Sequence, residues 1–444
     1  MGNMALTIAS SGIDAQQAAM DTVAENLANA NTPGYIQESP TLEAAGSFNE
    51  LGAGAGVTTL GATQAVDGLL LVNNQQAVGA LAQTSSLQQV LQTVQSAFPV
   101  STSSGTASDL SAFWQSWDAV AQNPSSASDR TQVVDAAQNV ATDLAASSTQ
   151  IATSQANAQT QLGSLAATDN GLLSQVASLN TQIVVAQGSG SSPNALVDQQ
   201  NQIMDQLAQD LGAVGTAQPN GTINVSVGGV KVVTGNTAAT LSVAGTPGSL
   251  SLTTQTGTTV PATAGTAAGI LAAVNQYLPA YQTQLDTVAN NLATTVNTQL
   301  AAGYTATGAT GQALFEGTGA ANLTINTAVA TNPQLLAASA TATAATNNGA
   351  NAQAMANLFD AASGPDQSYQ SFIQNMGSQI AGVTSQVQTQ TSVANAAQEN
   401  LQAVSGVNST NQEVLMLNYQ QAYQASAQVI STVDTMIQSL LQAV

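Results

Sequence analysis

Residues 416–444 read MLNYQQAYQASAQVISTVDTMIQSLLQAV. Met416, Tyr423, Ile430, Ile437 and Val444 stand seven apart, and Tyr419, Ser426, Val433 and Leu440 fill the offset of three. Polar Gln, Asn, Ser and Thr occupy the positions between. A narrow apolar stripe of this period asks for a partner helix along its length. The opposite end of the chain offers one. Leu6, Ile13, Met20 and Leu27 also fall seven apart, with Ala9, Val23 and Ala30 at the second seam position and Gln16 breaking it. First and last helices that both need a partner predict a rod built from the two termini, with the rest of the chain inserted between them. The same pattern also fits two amphipathic helices that dock separately on a globular core.

Composition limits what the 444 residues can do. Only 6% are charged, two are basic (Arg130 and Lys231), and the formal net charge is −21. The surface is therefore wetted mainly by Gln, Asn, Ser and Thr. Without basic patches, the chain gains nothing by releasing counterions from a phosphate backbone, which argues against nucleic acid and anionic lipid as partners. Few charges suit subunits that pack against copies of themselves, because few ions need desolvating. The absence of Cys excludes disulfides and thiolate metal sites, and the absence of His removes the commonest metal ligand and general base. No segment is long and apolar enough to span a bilayer. The N-terminus lacks the basic flank and apolar run of a cleaved signal peptide, so secretion is expected to use another route.

Read in order, the chain is mainly helical. An opening helix is expected from about Met4 to Asn31, ended by Thr32-Pro33-Gly34. Gly52-Ala53-Gly54-Ala55-Gly56 lacks the following helix and the Lys of a phosphate loop, and Val57 to Leu60 reads as a short strand. A helix from about Leu69 to Phe98 follows. Asp109 is placed to cap the next helix, which carries Phe113, Trp114 and Trp117 as core anchors rather than a ligand box. Apolar residues recur at spacings of mostly three, four or seven from about Ser128 to Ala186. They predict a helical hairpin or extended bundle interrupted near Asn170-Gly171. Asn194 is expected to help cap a helix through Leu211. Ile223, Val225 and Val227, the Gly228-Gly229 turn and Val230 to Val233 then read as a hairpin, the start of a small β unit near 214–262. Residues 318–350 form a Thr/Ala/Asn/Gly run too short for a domain of its own. Helix resumes from about Tyr369 to Leu401, and Ser405-Gly406-Val407-Asn408 interrupts or kinks it.

Several stretches carry a resemblance. Asn26-Leu27-Ala28-Asn29-Ala30-Asn31-Thr32-Pro33-Gly34-Tyr35 resembles the N-terminal signature of the bacterial flagellar axial proteins: rod, hook and hook-associated proteins. Within it, Asn29, Asn31, Thr32, Pro33, Gly34 and Tyr35 are the signature positions. Gly54-Ala55-Gly56-Val57 and Asp67-Gly68-Leu69-Leu70 are similar to a further element of the hook-associated branch, in which an arginine usually stands near the position of Gln64. Ser191 to Gln200, Leu278-Pro279-Ala280-Tyr281 and Leu314-Phe315 also resemble that branch. Asn418 to Ala427, containing Gln421, Ala422 and Tyr423, resembles its C-terminal signature. The likeness runs in order from about residue 6 to 444.

What the resemblance implies is specific. Residues 1–45 and 404–444 would form an inner coiled-coil domain, and 46–403 a helical outer domain carrying the small β unit. The separate β-rich outermost domain of longer members is expected to be absent. Leu6, Ile13, Met20, Val23 and Leu27 would pair with Met416, Tyr419, Tyr423, Ile430, Val433, Ile437 and Leu440. The implied role is a structural adaptor at the junction of hook and filament, extracellular, self-assembling and needing no cofactor. Implied partners are further copies of the chain, the flagellar hook protein, the next hook–filament junction protein and an export chaperone, with no nucleic acid and no membrane insertion. A hook or rod subunit, or a non-flagellar helical surface module, remains the alternative. An enzyme is disfavoured: without His, a hydrolase must rely on carboxylates, and Asp14, Asp21, Glu25, Asp198, Asp205 and Asp210 sit within helical patterns.

Overall fold

The computed structural model describes residues 2–32, 34–46, 54–99, 105–343 and 345–442; Pro33 and Val444 fall outside them, as does the side chain of Leu440. The chain opens with helix α1 (Gly2–Ala28), a hairpin of β1 (Glu38–Ala44) and β2 (Val57–Gln64), and α2 (Gly68–Gln95). Helices α3 (Thr106–Gln122), α4 (Ala127–Gly188) and α5 (Asn194–Leu211) follow. A β segment comes next: β3 (Val214–Ala217), β4 (Ile223–Val227), β5 (Val230–Thr234), β6 (Thr237–Ala238), β7 (Leu241–Ala244), β8 (Ser251–Thr254) and β9 (Thr259–Val260). Helix α6 (Gly265–Ala272) runs through a π-helical turn into α7 (Leu278–Ala301). Two short strands, β10 (Phe315–Glu316) and β11 (Thr324–Ile325), and two short helices, α8 (Thr327–Thr331) and α9 (Ala350–Ala356), precede the last pair, α10 (Pro365–Ser405) and α11 (Ser409–Gln442).

Helix α4 organises the body. It is a single helix of 62 residues, roughly 90 Å long, with no break at Asn170-Gly171. The reason is tertiary. The Asn170 side chain donates to the Leu241 carbonyl at 2.9 Å and accepts from the Leu241 N–H at 2.7 Å, so a residue that locally favours a turn docks β7 instead. A glycine inside a helix costs only about 1 kcal/mol relative to alanine, which such packing easily offsets. Ten residues on, Asn180 accepts from the Ile223 N–H and donates to the Ile223 and Gly235 carbonyls, docking the second sheet.

Two apolar cores lie along this helix. The first half of α4 packs with α2, α3, α7 and α10 around Phe113, Trp117, Tyr281 and Phe372. Its second half packs with α5, α6 and the β strands around Leu173, Leu207, Val225 and Leu252. The strands form an antiparallel β3-β4-β5-β6 sheet and an antiparallel β7-β8-β9 sheet. The Gly228-Gly229 turn joins β4 to β5 as read from the sequence, and Lys231 is exposed on β5.

Three local readings are corrected and one is extended. Helix α3 starts at Thr106 behind Gly105, so Asp109 lies in its first turn instead of capping it. Asn194 does not cap α5; its amide donates to the Ala62 carbonyl of β2 at 2.9 Å. The strand from Val57 is paired with β1, which the sequence reading left unassigned. Residues 318–350 are not a free loop: Ala320, Leu323, Ile325, Val329, Leu336 and Ala338 are buried in the first core.

Candidate assembly interface at the chain ends

Helices α1 and α11 pack along each other, antiparallel. Gly12 lies against Ser426, and Asn26 against Gln412, so fourteen residues forward on one helix match fourteen back on the other. The buried apolar side chains of α1 are small: Ala9, Ala15, Ala19 and Val23. At Gly12 a Cβ would sit 3.1 Å from Ser426 Oγ, so the helices approach closely where α1 presents least bulk. Large residues of α11 lie over this small face. Val433 is buried, and Met416, Tyr419, Tyr423 and Ile430 are half-buried.

The expected seam residues therefore have different fates. Val23 and Val433 are at the centre. Ile13 and Met20 are half-buried at its margin. Leu6 and Leu27 are 37% and 39% exposed, and Ile437 is 38% exposed. The seam runs over Ala9, Gly12, Val23 and Asn26, rotated away from the series of larger residues. Beyond it, Ile8, Val414, Leu417, Val429, Met436 and Leu441 are exposed apolar side chains, Leu441 at 73%. Ile8 and Val429 line a groove of about 590 Å³ with Ala9, Gly12, Val57 and Ser426.

The N-terminal signature builds the joint between this pair and the body. Asn29 donates to the Glu25 carbonyl, and the Thr32 hydroxyl donates to Asn29 Oδ1 at 3.2 Å, closing a turn past the end of α1. Gly34 (φ 79°) continues the turn, and Asn31 is exposed. Tyr35 then folds back so that its hydroxyl donates to Asn26 Oδ1 at 2.9 Å. Asn26 is fully buried and holds three further bonds. Its oxygen accepts from the Glu38 N–H, and its amide donates to the Glu38 carbonyl (2.7 Å) and to Gln412 Oε1 (3.1 Å). One side chain thus ties α1, β1 and α11 together. The sequence reading missed it, although a polar residue amid small apolar ones on one helix face signals a required partner. In the C-terminal signature, Gln421 is exposed while Ala422 and Tyr423 are half-buried.

The hairpin also rests on α1. Ser11 Oγ accepts from the Val57 N–H at 3.2 Å. Gly56 has φ 102°, and a Cβ there would lie 2.0 Å from Ser11 Oγ, so this position admits only glycine without displacing the strand. Near the base of the hairpin, Gln64 donates to Asp198 Oδ1 at 2.7 Å and to the Asn194 carbonyl at 3.2 Å. Burial pushes the Asp198 carboxyl up to about 6 against the pull of the Gln64 bond, with Glu38 and Glu25 adding to the rise. Burial first, and then Glu38, Glu25 and Asp198, raise the Tyr35 phenol, which stays neutral. A cleft of about 730 Å³ lies beside this joint, between Tyr35, Leu71, Asp205 and Leu401.

Among the described residues, no group of three or more metal-ligating side chains converges, and no helix is long and apolar enough to cross a membrane. The described residues present a two-helix end with exposed apolar side chains on a long helical body. The fold and this end define an elongated helical protein whose first and last helices are paired.

Comparison with known proteins gives the family. Residues 91–315 match the flagellar hook-associated protein FlgK helical domain. Residues 6–35 match the flagella basal body rod protein family, and 398–443 match the flagellar basal body rod FlgEFG protein C-terminal family. The chain belongs to the flagellar hook-associated protein FlgK family. It is 28% identical over 329 residues to flagellar hook-associated protein 1 of Escherichia coli strain K12, covering 69% of this chain and 59% of that one. It is 27% identical over 242 residues to the protein of the same name from Bacillus subtilis strain 168, covering 50% and 48%. A solved structure of the flagellar hook junction protein FlgK from Burkholderia pseudomallei is 27% identical, with a TM-score of 0.49 over 56% of this chain and 46% of that one. The matches thus span less than three fifths of the curated relatives' length.

Proposed function

We propose that this chain is a structural adaptor at the junction between the flagellar hook and filament, not an enzyme. In this reading α1 and α11, within residues 1–45 and 404–444, form the inner coiled-coil domain, and 46–403 form the outer domain. Neighbouring copies cover the apolar side chains that the free chain leaves exposed. The observation that carries the reading is that Val414, Leu417, Val429, Met436 and Leu441 stay exposed on a helix that already has one partner. Large apolar side chains left uncovered in the single chain suit packing against identical rods. The adaptor role itself comes from the relatives' names and the family match. Its partners are further copies, the hook protein and the next junction protein, and it reaches them by flagellar export with an export chaperone.

Purified hooks stripped of junction proteins test this directly. Binding confined to one end of each hook supports the adaptor role. Binding along the shaft makes the chain a hook subunit, and no binding at all overturns the flagellar reading.

A further inference from the structure

Asp169 is fully buried on α4, beside the Asn170 that docks β7. Neither of its carboxyl oxygens has a hydrogen-bond donor. The group within reach is the carboxyl of Asp210, in the last turn of α5 and itself buried. Asp210 accepts from Gln206 Nε2 at 2.8 Å, and its backbone lies against Gly265 at the start of α6. Two ionised carboxylates cannot donate to each other. This contact is a hydrogen bond only while the pair holds a proton.

No cation faces the pair. Helices α2 and α6 and strand β7 carry no ionisable side chain. On α5, Asp205 accepts from Gln75 of α2 and Asp198 from Gln64 of β2. On α4, Asp129, Arg130, Asp135 and Asp143 all lie in the half that serves the other core. Lys231 on β5 is exposed. Unlike a catalytic dyad, the pair lies in a closed helix seam rather than an open cleft.

We propose that Asp169 and Asp210 form a proton-operated clamp on the seam of α4, α5 and α6. The shared proton holds the helices together, and its loss leaves two like charges buried against each other and loosens the β-bearing half of the body. Burial first, and then the facing Asp210, push the Asp169 carboxyl up to about 8. Because the folded value lies above the unfolded one of about 3.9, this contribution to stability is complete in acid. It is lost progressively as pH rises through about 8.

Thermal unfolding of the full chain between pH 4 and 9 tests the clamp, in the wild type and in Asp169→Asn and Asp210→Asn. Each substitution supplies a permanent amide donor in place of the titrating proton. The wild-type Tm is expected to fall by on the order of 3 °C between pH 6 and 9. Either variant should fall much less and be the more stable chain at pH 9. A pH slope in both variants equal to that of the wild type overturns the clamp. Should both variants fail to fold, proton uptake decides. Refolding of the wild type near pH 7 should take up about one proton per chain, and no uptake overturns the proposal.

Discussion

Asn26 and Gln412, 386 residues apart in the chain, share a buried hydrogen bond of 3.1 Å where the first helix meets the last. The same Asn26 holds the backbone of β1 at Glu38 and the hydroxyl of Tyr35. In a chain with only 6% charged residues, neutral amides do the joining that ion pairs do elsewhere. Asn170, Asn180, Asn275 and Asn297 each hold strand or loop backbone in the same way.

Asn26→Ala removes all four bonds and leaves Gln412, which is 1% exposed, without its partner. The expected loss is about 3 kcal/mol in local stability of the joint. Hydrogen exchange of the Glu38 amide should then quicken by roughly 100-fold in the free chain. Unchanged protection would mean the joint is held by packing alone.

Two substitutions separate pairing within the chain from pairing between chains. Val23→Asp buries an unpaired charge in the α1–α11 seam and should expose both ends of the free chain to a broad-specificity protease. Leu417→Asp, at a position 57% exposed, should leave the free chain within about 0.5 kcal/mol of wild type. It should nevertheless abolish incorporation at the hook end. Ile430→Asp, at a half-buried position, should impair both.

Gln64→Arg should shift the pH dependence of stability. Asp198 has its folded value raised to about 6, so its contribution is complete in acid and lost as pH rises through that value. A guanidinium at position 64 would return Asp198 toward the usual carboxylate range. The variant is expected to gain about 1 kcal/mol at pH 8 and little at pH 4, read from Tm at the two pH values.

Trp114 reports on a third carboxyl. Trp114 Nε1 donates to Asp366 Oδ2 at 2.6 Å. Burial pushes Asp366 up to about 6, against the Trp114 bond and with Asp360 adding to the rise. Ionisation strengthens the indole hydrogen bond, so the tryptophan emission maximum should titrate with a midpoint near pH 6. Asp366→Asn should flatten that titration. A flat wild-type profile would place the carboxyl outside this range.

Much of the architecture was readable before the structure. Heptads at both ends announced helices that need partners, and Gly228-Gly229 between alternating strands announced a hairpin. Which residues fill the α1–α11 seam was not readable, because a periodic pattern does not encode the distance between helices. At the close approach set by Gly12, small residues take the centre and Leu6 and Leu27 move to the edge. The unbroken α4 was hidden for a related reason: Asn170 looks like a breaker until β7 is in place to use its amide. β1 (ESPTLEA) carries polar residues and a proline, and becomes a strand by pairing with β2 and resting on α1.

The adaptor role is tested most directly by locating the protein in cells. An epitope inserted at Gly257, in the exposed turn between β8 and β9, can be labelled with gold and imaged by electron microscopy. One cluster per flagellum, between hook and filament, is the expected result. Label along the whole hook, or on the envelope away from any flagellum, would contradict it.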